Sequence, residues 1–139
     1  MDVEDHERIV VDVDGVIAKK NSEKGYHELE PDESVVSRLH EYNERGFYII
    51  VHTARNMRTY EGRIGKINAN TAPILVDWLD EHDVPYDEIR LGKPWCGHDG
   101  FYVDDRAVRP SEFLEKDHDE ILRLIEKEVR RESNVPTKE

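Results

Sequence analysis

Apolar residues along this chain come in two rhythms. Ile9-Val10-Val11-Asp12-Val13 and Phe47-Tyr48-Ile49-Ile50-Val51 are short, almost unbroken apolar runs, the pattern of strands buried on both faces in a parallel sheet. Between them Val35, Val36, Leu39 and Tyr42 fall on one face of a helix expected from Glu33 to Arg45, with Gly46 as its C-terminal cap. Thr71 ahead of Ala72-Pro73 marks a helix start, and Ile74, Leu75, Trp78 and Leu79 form the buried stripe of a helix ending near His82. Shorter strands are expected from Glu88 to Leu91 and from Phe101 to Val103. Ser111 is placed to cap a short helical turn, and Ile121, Leu122, Ile125 and Val129 mark a final amphipathic helix with a charged outer face.

Strand, helix, strand, helix, strand, strand, helix is the order of an α/β protein with a mostly parallel sheet and helices on both faces. The chain has 139 residues, the size of one domain. That domain is expected over residues 1–131, with 132–139, mostly polar and containing Pro136, as a flexible C-terminal tail. No repeat or low-complexity segment interrupts it.

The net charge of -12 repels a phosphate backbone over most of the surface, so neither nucleic acid nor an acidic membrane is an expected partner. The acidity serves solubility alone or reflects a salt-adapted proteome. Cys96 is the single cysteine, so no intrachain disulfide forms, which favours a reducing compartment. No apolar run reaches the ~20 residues of a membrane span, and MDVEDHER is acidic where a signal peptide is basic and then apolar. A cytoplasmic location is the expectation.

In open parallel sheets, ligands bind beyond the carboxyl ends of the strands. Four polar sets stand there: Asp12 with Asp14, Thr53, Lys93, and Asp104 with Asp105. Singly, each has an ordinary reading, since an Asp before Gly is often a turn residue and a Lys beside Pro a solvated loop charge. Asp12, however, sits in an apolar strand end, where a carboxylate is costly unless it is paired, hydrogen-bonded or bound to metal. Two acidic strand ends converging would repel without a cation, and hard oxygen ligands with room for water and phosphate suit magnesium.

Asp12-Val13-Asp14-Gly15-Val16, Thr53, Lys93 and Asp104-Asp105, in that order, resemble the four motifs of the haloacid dehalogenase-like superfamily of phosphohydrolases. The segments 52–62 and 92–100 look more particularly like the small phosphatases associated with capsular polysaccharide biosynthesis. The resemblance implies a Rossmann-like domain, Mg2+ as cofactor, and hydrolysis through an aspartyl-phosphate on Asp12. It implies Asp14 as general acid and base, and Thr53 and Lys93 as groups that bind the phosphoryl oxygens and neutralise their charge. The implied metal set is Asp12, the Asp14 carbonyl and Asp104, with Asp105 either a direct ligand or an orienting residue. A phosphorylated sugar or related small metabolite is the implied substrate, with capsule or surface polysaccharide biosynthesis as the setting.

Residues 15–52 and 54–92 leave no room for the large cap by which many members of that superfamily select substrate. An uncapped, open site is expected, closed by self-association as a homo-oligomer or used on bulky substrates. Residues 54–70 form a connection longer than the usual strand-to-helix loop. It carries Arg55, Arg58, Arg63 and Lys66 against Glu61, a charge of +3 where the remaining residues sum to -15. Such a segment focuses anions beside a phosphate site, or, with Met57, Tyr60, Ile64 and Ile67 at helical spacing, is an amphipathic helix with a basic outer face. Arg55 and Arg58 are the expected substrate contacts, joined by Trp95 for a sugar face and His98 for a hydroxyl or phosphate; a packed loop Trp and an uninvolved surface His are the plain alternatives.

Two other functions use similar residues. A receiver-type phospho-accepting domain places its acidic pair first and its phosphorylated Asp later, ahead of Thr and Lys, an order that does not fit here. A polynucleotide end phosphatase needs a broad basic surface, which the composition denies.

Overall fold

The computed structural model describes residues 6–131; the tail expected at 132–139 lies outside them. The described residues fall into two compact units, one up to Asp99 and one from Gly100.

In the first unit, β1 (Arg8–Val11), β2 (Tyr48–Thr53) and β3 (Glu88–Leu91) make an open, all-parallel sheet in the order β1-β2-β3. The register pairs Val11 with Val51, and Thr53 with Leu91, so the three strands deliver their carboxyl ends to one edge. β2 is central, and Ile49, Ile50 and Val51 are buried, as an apolar run flanked by strands on both sides should be.

Helix α1 (Glu33–Glu44) starts where Asp32 accepts hydrogen bonds from the amides of Ser34 and Val35, satisfying donors that the helix itself leaves free. It buries Val35, Val36, Leu39 and Tyr42 and ends at Gly46, whose φ of +93° suits a residue without Cβ. Helix α2 (Ile64–Asn70) runs through Thr71 into α3 (Ala72–Glu81), which carries Pro73 in its first turn and buries Leu75, Trp78 and Leu79. Each fully buried Leu stabilises the fold by about 1.5–3 kcal/mol. The helical pattern of Met57, Tyr60, Ile64 and Ile67 is realised only from Ile64 onward. Asn56 and Glu61, at φ +62° and +51°, turn the backbone out of the helical region before it.

Residues 13–31, between β1 and α1, fold back on themselves. The Val13 carbonyl accepts from the amides of Val16, Ile17 and Ala18, and Lys19 N donates to Glu30 O at 2.8 Å, closing a flap. A 3-10 turn, Tyr26–Glu28, lies within that flap. The returning segment of the flap is pinned by Trp78, whose Nε1 donates to the Leu29 carbonyl at 2.8 Å.

The second unit contains α4 (Pro110–Glu115) and α5 (His118–Val129). Ser111 does not cap α4 as expected; Arg109 takes that position, its amide donating to Glu112 Oε1 at 2.8 Å. Asp117 and Glu120 cap α5 reciprocally, the pattern of a capping box. Ile121 is buried, whereas Leu122 and Val129 are exposed. The strand expected at 101–103 is absent, and Phe101, Tyr102 and Val103 are 79%, 51% and 89% exposed. A run of three residues bounded by Gly100 and two aspartates is too short to hold strand geometry without a hydrogen-bonded neighbour. The sheet is therefore all-parallel and three-stranded among the described residues. None of the described helices is long and apolar enough to cross a membrane.

Candidate active site

Parallel pairing brings the chemistry-bearing side chains of the first unit to one sheet edge. Asp12 is the first residue beyond β1, Thr53 ends β2, and Lys93 is the second residue beyond β3. The Lys93 amide donates to the Thr53 carbonyl at 3.1 Å, extending the β2–β3 pairing past Leu91. Lys93 Nζ then lies 3.8 Å from Asp12 Oδ2, with both side chains partly exposed. Asp12 Oδ1 accepts from the Val13 amide at 2.9 Å.

Gly92 allows this approach. It has φ +86°, a backbone conformation that other residues rarely adopt, and a Cβ there would only have to displace the exposed tip of Ile64, 2.7 Å away.

Thr53 is 1% exposed, and its Oγ1 accepts from the Arg55 amide at 3.1 Å, leaving its hydroxyl proton available to another acceptor. Arg55, expected to touch substrate, is instead 4% exposed. Its Nε and Nη2 donate to the two oxygens of Asp14 at 3.2 and 2.8 Å, a bidentate charge-assisted pair. Tyr26 lies over the guanidinium, with the ring centroid 4.0 Å from Cζ. Burial, and then the negative charge of Asp14, push the Tyr26 phenol above its usual range against the pull of Arg55.

A second cluster joins the loops after β2 and β3. Arg58 Nη1 is 3.0 Å from His98 Nε2, and the Arg58 guanidinium lies 5.6 Å from the Trp95 ring centroid. Trp95 and His98 meet edge-to-face at 5.1 Å, and Trp95 remains 42% exposed. Three of the four residues expected to read substrate thus form one exposed group. Asp104 and Asp105 belong to the second unit, where both are exposed and Asp104 Oδ1 accepts from the Arg106 amide at 2.8 Å.

Two neighbours of these groups were not singled out as candidates in the sequence. Tyr26 sits in a polar, Gly-containing segment with no periodicity. His52, just before Thr53, is shifted below its ordinary value by burial and then by the positive Lys93, with Asp12 opposing.

Among the described residues no three His, Cys, Asp or Glu side chains are grouped to hold a metal ion. Within the first unit the fitting donor is the Asp12 carboxylate, a hard and partly exposed oxygen pair. One or two protein oxygens completed by water and substrate phosphate are the shell that magnesium accepts. The Asp12 carboxylate is thus an oxygen donor of the kind that magnesium accepts.

No protein-family model and no curated protein matches the chain. Among solved structures, it is similar to one that forms part of a Pnkp1/Rnl/Hen1 complex, at 18% identity and a TM-score of 0.46, over 81% of this chain and 35% of that one. It is also similar to the crystal structure of an MCSG target from Vibrio cholerae, at 56% identity and a TM-score of 0.85, covering 88% of this chain and 98% of that one. At that identity and coverage, the chain belongs to the same family as the Vibrio cholerae protein.

Proposed function

We propose that this protein is a magnesium-dependent phosphomonoester hydrolase of the haloacid dehalogenase-like kind, working through an aspartyl-phosphate on Asp12. The observation that supports this best is the Asp12 carboxylate facing Lys93 Nζ at 3.8 Å beyond the carboxyl ends of parallel strands. Two residues on, Asp14 is held by Arg55. An anionic nucleophile needs an adjacent cation if an anionic phosphoryl group is to approach it.

An oxygen of Asp12 attacks phosphorus, the bond from phosphorus to the leaving oxygen breaks, and Asp14 delivers a proton to that oxygen. Asp14 then takes a proton from water as the water attacks phosphorus and the bond to Asp12 breaks, releasing phosphate and restoring the enzyme. Lys93 and the Thr53 hydroxyl bind the phosphoryl oxygens through both steps. The Asp12 carboxylate and the Asp14 carbonyl would hold magnesium, which would supply positive charge between nucleophile and substrate.

Arg58, Trp95 and His98 read the rest of the substrate. A partly exposed indole beside a guanidinium and an imidazole suits a sugar ring carrying hydroxyl or anionic groups. A phosphorylated sugar is therefore the substrate class proposed, with surface polysaccharide biosynthesis as the setting that the sequence resemblance implies. The test is phosphate release from para-nitrophenyl phosphate by purified protein with and without Mg2+. Release that requires Mg2+ and is lost in Asp12→Asn supports the reading; release retained in that variant overturns it.

A further inference from the structure

Asp14 must hold a carboxylate oxygen within hydrogen-bond reach of the leaving group, and displacement by about 1 Å can cost about 10²-fold in rate. Its side chain stands on a tight loop and is 27% exposed, so the carboxylate needs a neighbour to hold it. Arg55 is that neighbour. Its planar fork holds both oxygens, setting the plane as well as the position of the group. Each oxygen keeps a second lone pair, and the residual exposure leaves the carboxylate reachable while it is held.

Arg55 is itself immobilised. Its side chain is fully buried, its amide is bound to Thr53 Oγ1, and the Tyr26 ring covers the guanidinium at 4.0 Å. This arrangement is costly. Burying a guanidinium forfeits hydration, and among the described residues Nη1 has no hydrogen-bond partner. An aliphatic side chain would fill such a place without leaving a donor unsatisfied, so packing alone does not account for an arginine here.

We infer that Arg55 is the positioning residue that fixes the Asp14 carboxylate for proton transfer, with Tyr26 of the flap clamping the guanidinium in place. The inference rests on the phosphohydrolase reading and adds to it a role for the flap. Arg55 does not contact substrate; it acts through Asp14. Its loss is felt most where the leaving oxygen needs a proton.

The experiment compares kcat/KM, which reports the first chemical step, for para-nitrophenyl phosphate and for glycerol phosphate with Mg2+ present. The aryl oxygen departs as a stabilised phenolate with little help, whereas the alkyl oxygen needs the proton. Arg55→Gln should lower kcat/KM for glycerol phosphate by about 10²-fold and for the aryl ester by less than about 10-fold, with Arg55→Lys recovering part of the difference. Tyr26→Ala should move the alkyl-to-aryl ratio the same way by a smaller factor, and more than Tyr26→Phe. Equal losses on both esters in folded Arg55→Gln overturn the inference and leave the phosphohydrolase reading standing. If Arg55→Gln does not fold, Tyr26→Ala decides, and an unchanged ratio overturns the inference. A wild-type protein inactive on both esters overturns the phosphohydrolase reading and the inference with it.

Discussion

Replacing Trp78 by Phe tests how the flap is attached to the fold. The indole is 1% exposed and donates from Nε1 to the Leu29 carbonyl at 2.8 Å. Phenylalanine keeps an aromatic ring in place but cannot donate. A buried carbonyl left without its partner costs about 1–3 kcal/mol, and the void beside the smaller ring adds on the order of 1 kcal/mol. The expected loss is about 2–4 kcal/mol, a large share of the stability of a small domain. Urea denaturation followed by circular dichroism measures it, and hydrogen exchange locates it. Amides of residues 19–31 should exchange faster in the variant, because Leu29 leads directly back from the turn that carries Tyr26. A loss below about 0.5 kcal/mol, or unchanged exchange in residues 19–31, would show that the Trp78 hydrogen bond does not anchor the flap.

Arg58→Ala should lower kcat/KM for phosphorylated sugars by about 10–100-fold, the worth of a charged hydrogen bond, mainly through KM. The change on para-nitrophenyl phosphate should be smaller, and equal effects on both would remove Arg58 from sugar recognition. Burial and the nearby Lys93 hold the His52 imidazole below its ordinary value of 6.5, so the folded chain favours the neutral form more than the unfolded chain does. Stability linked to His52 is in place above about pH 6.5 and is lost as pH falls from there toward the folded-state value. Thermal melting across that range should show the decline, and His52→Gln should flatten it; an identical slope in the variant would place the decline elsewhere.

The frame of the fold was legible because central β2 is buried and marks it with an unbroken apolar run. β1 carries a similar run but lies at the sheet edge, where Val10 is 62% exposed rather than buried as expected. The expected strand at 88–91 coincides with β3, and the helix expected from Glu33 is α1. Phe101-Tyr102-Val103 carries the same local mark without forming a strand, because a strand exists only by pairing, which composition does not record. In residues 54–70 the apolar spacing offered a helix as one of two readings, and Asn56 and Glu61 at positive φ confine it to the end of the segment. The gathering of Asp12, Thr53 and Lys93 followed from the rule that parallel strands present their carboxyl ends together. The pairing of Arg55 with Asp14 did not, because it joins residues 41 positions apart through side-chain geometry. In the sequence Arg55 and Arg58 look alike; in the fold one is buried on a carboxylate and the other stands exposed beside Trp95 and His98.

The central claim is that Asp12 carries the phosphoryl group, and trapping that adduct tests it most directly. Enzyme quenched in acid during turnover of a radiolabelled phosphomonoester with Mg2+, then digested and mapped, should carry label on the peptide containing Asp12. The label should be sensitive to hydroxylamine, as an acyl phosphate is, and absent from Asp12→Asn. Steady phosphate release with no label on that peptide, or release undiminished in Asp12→Asn, would contradict the account.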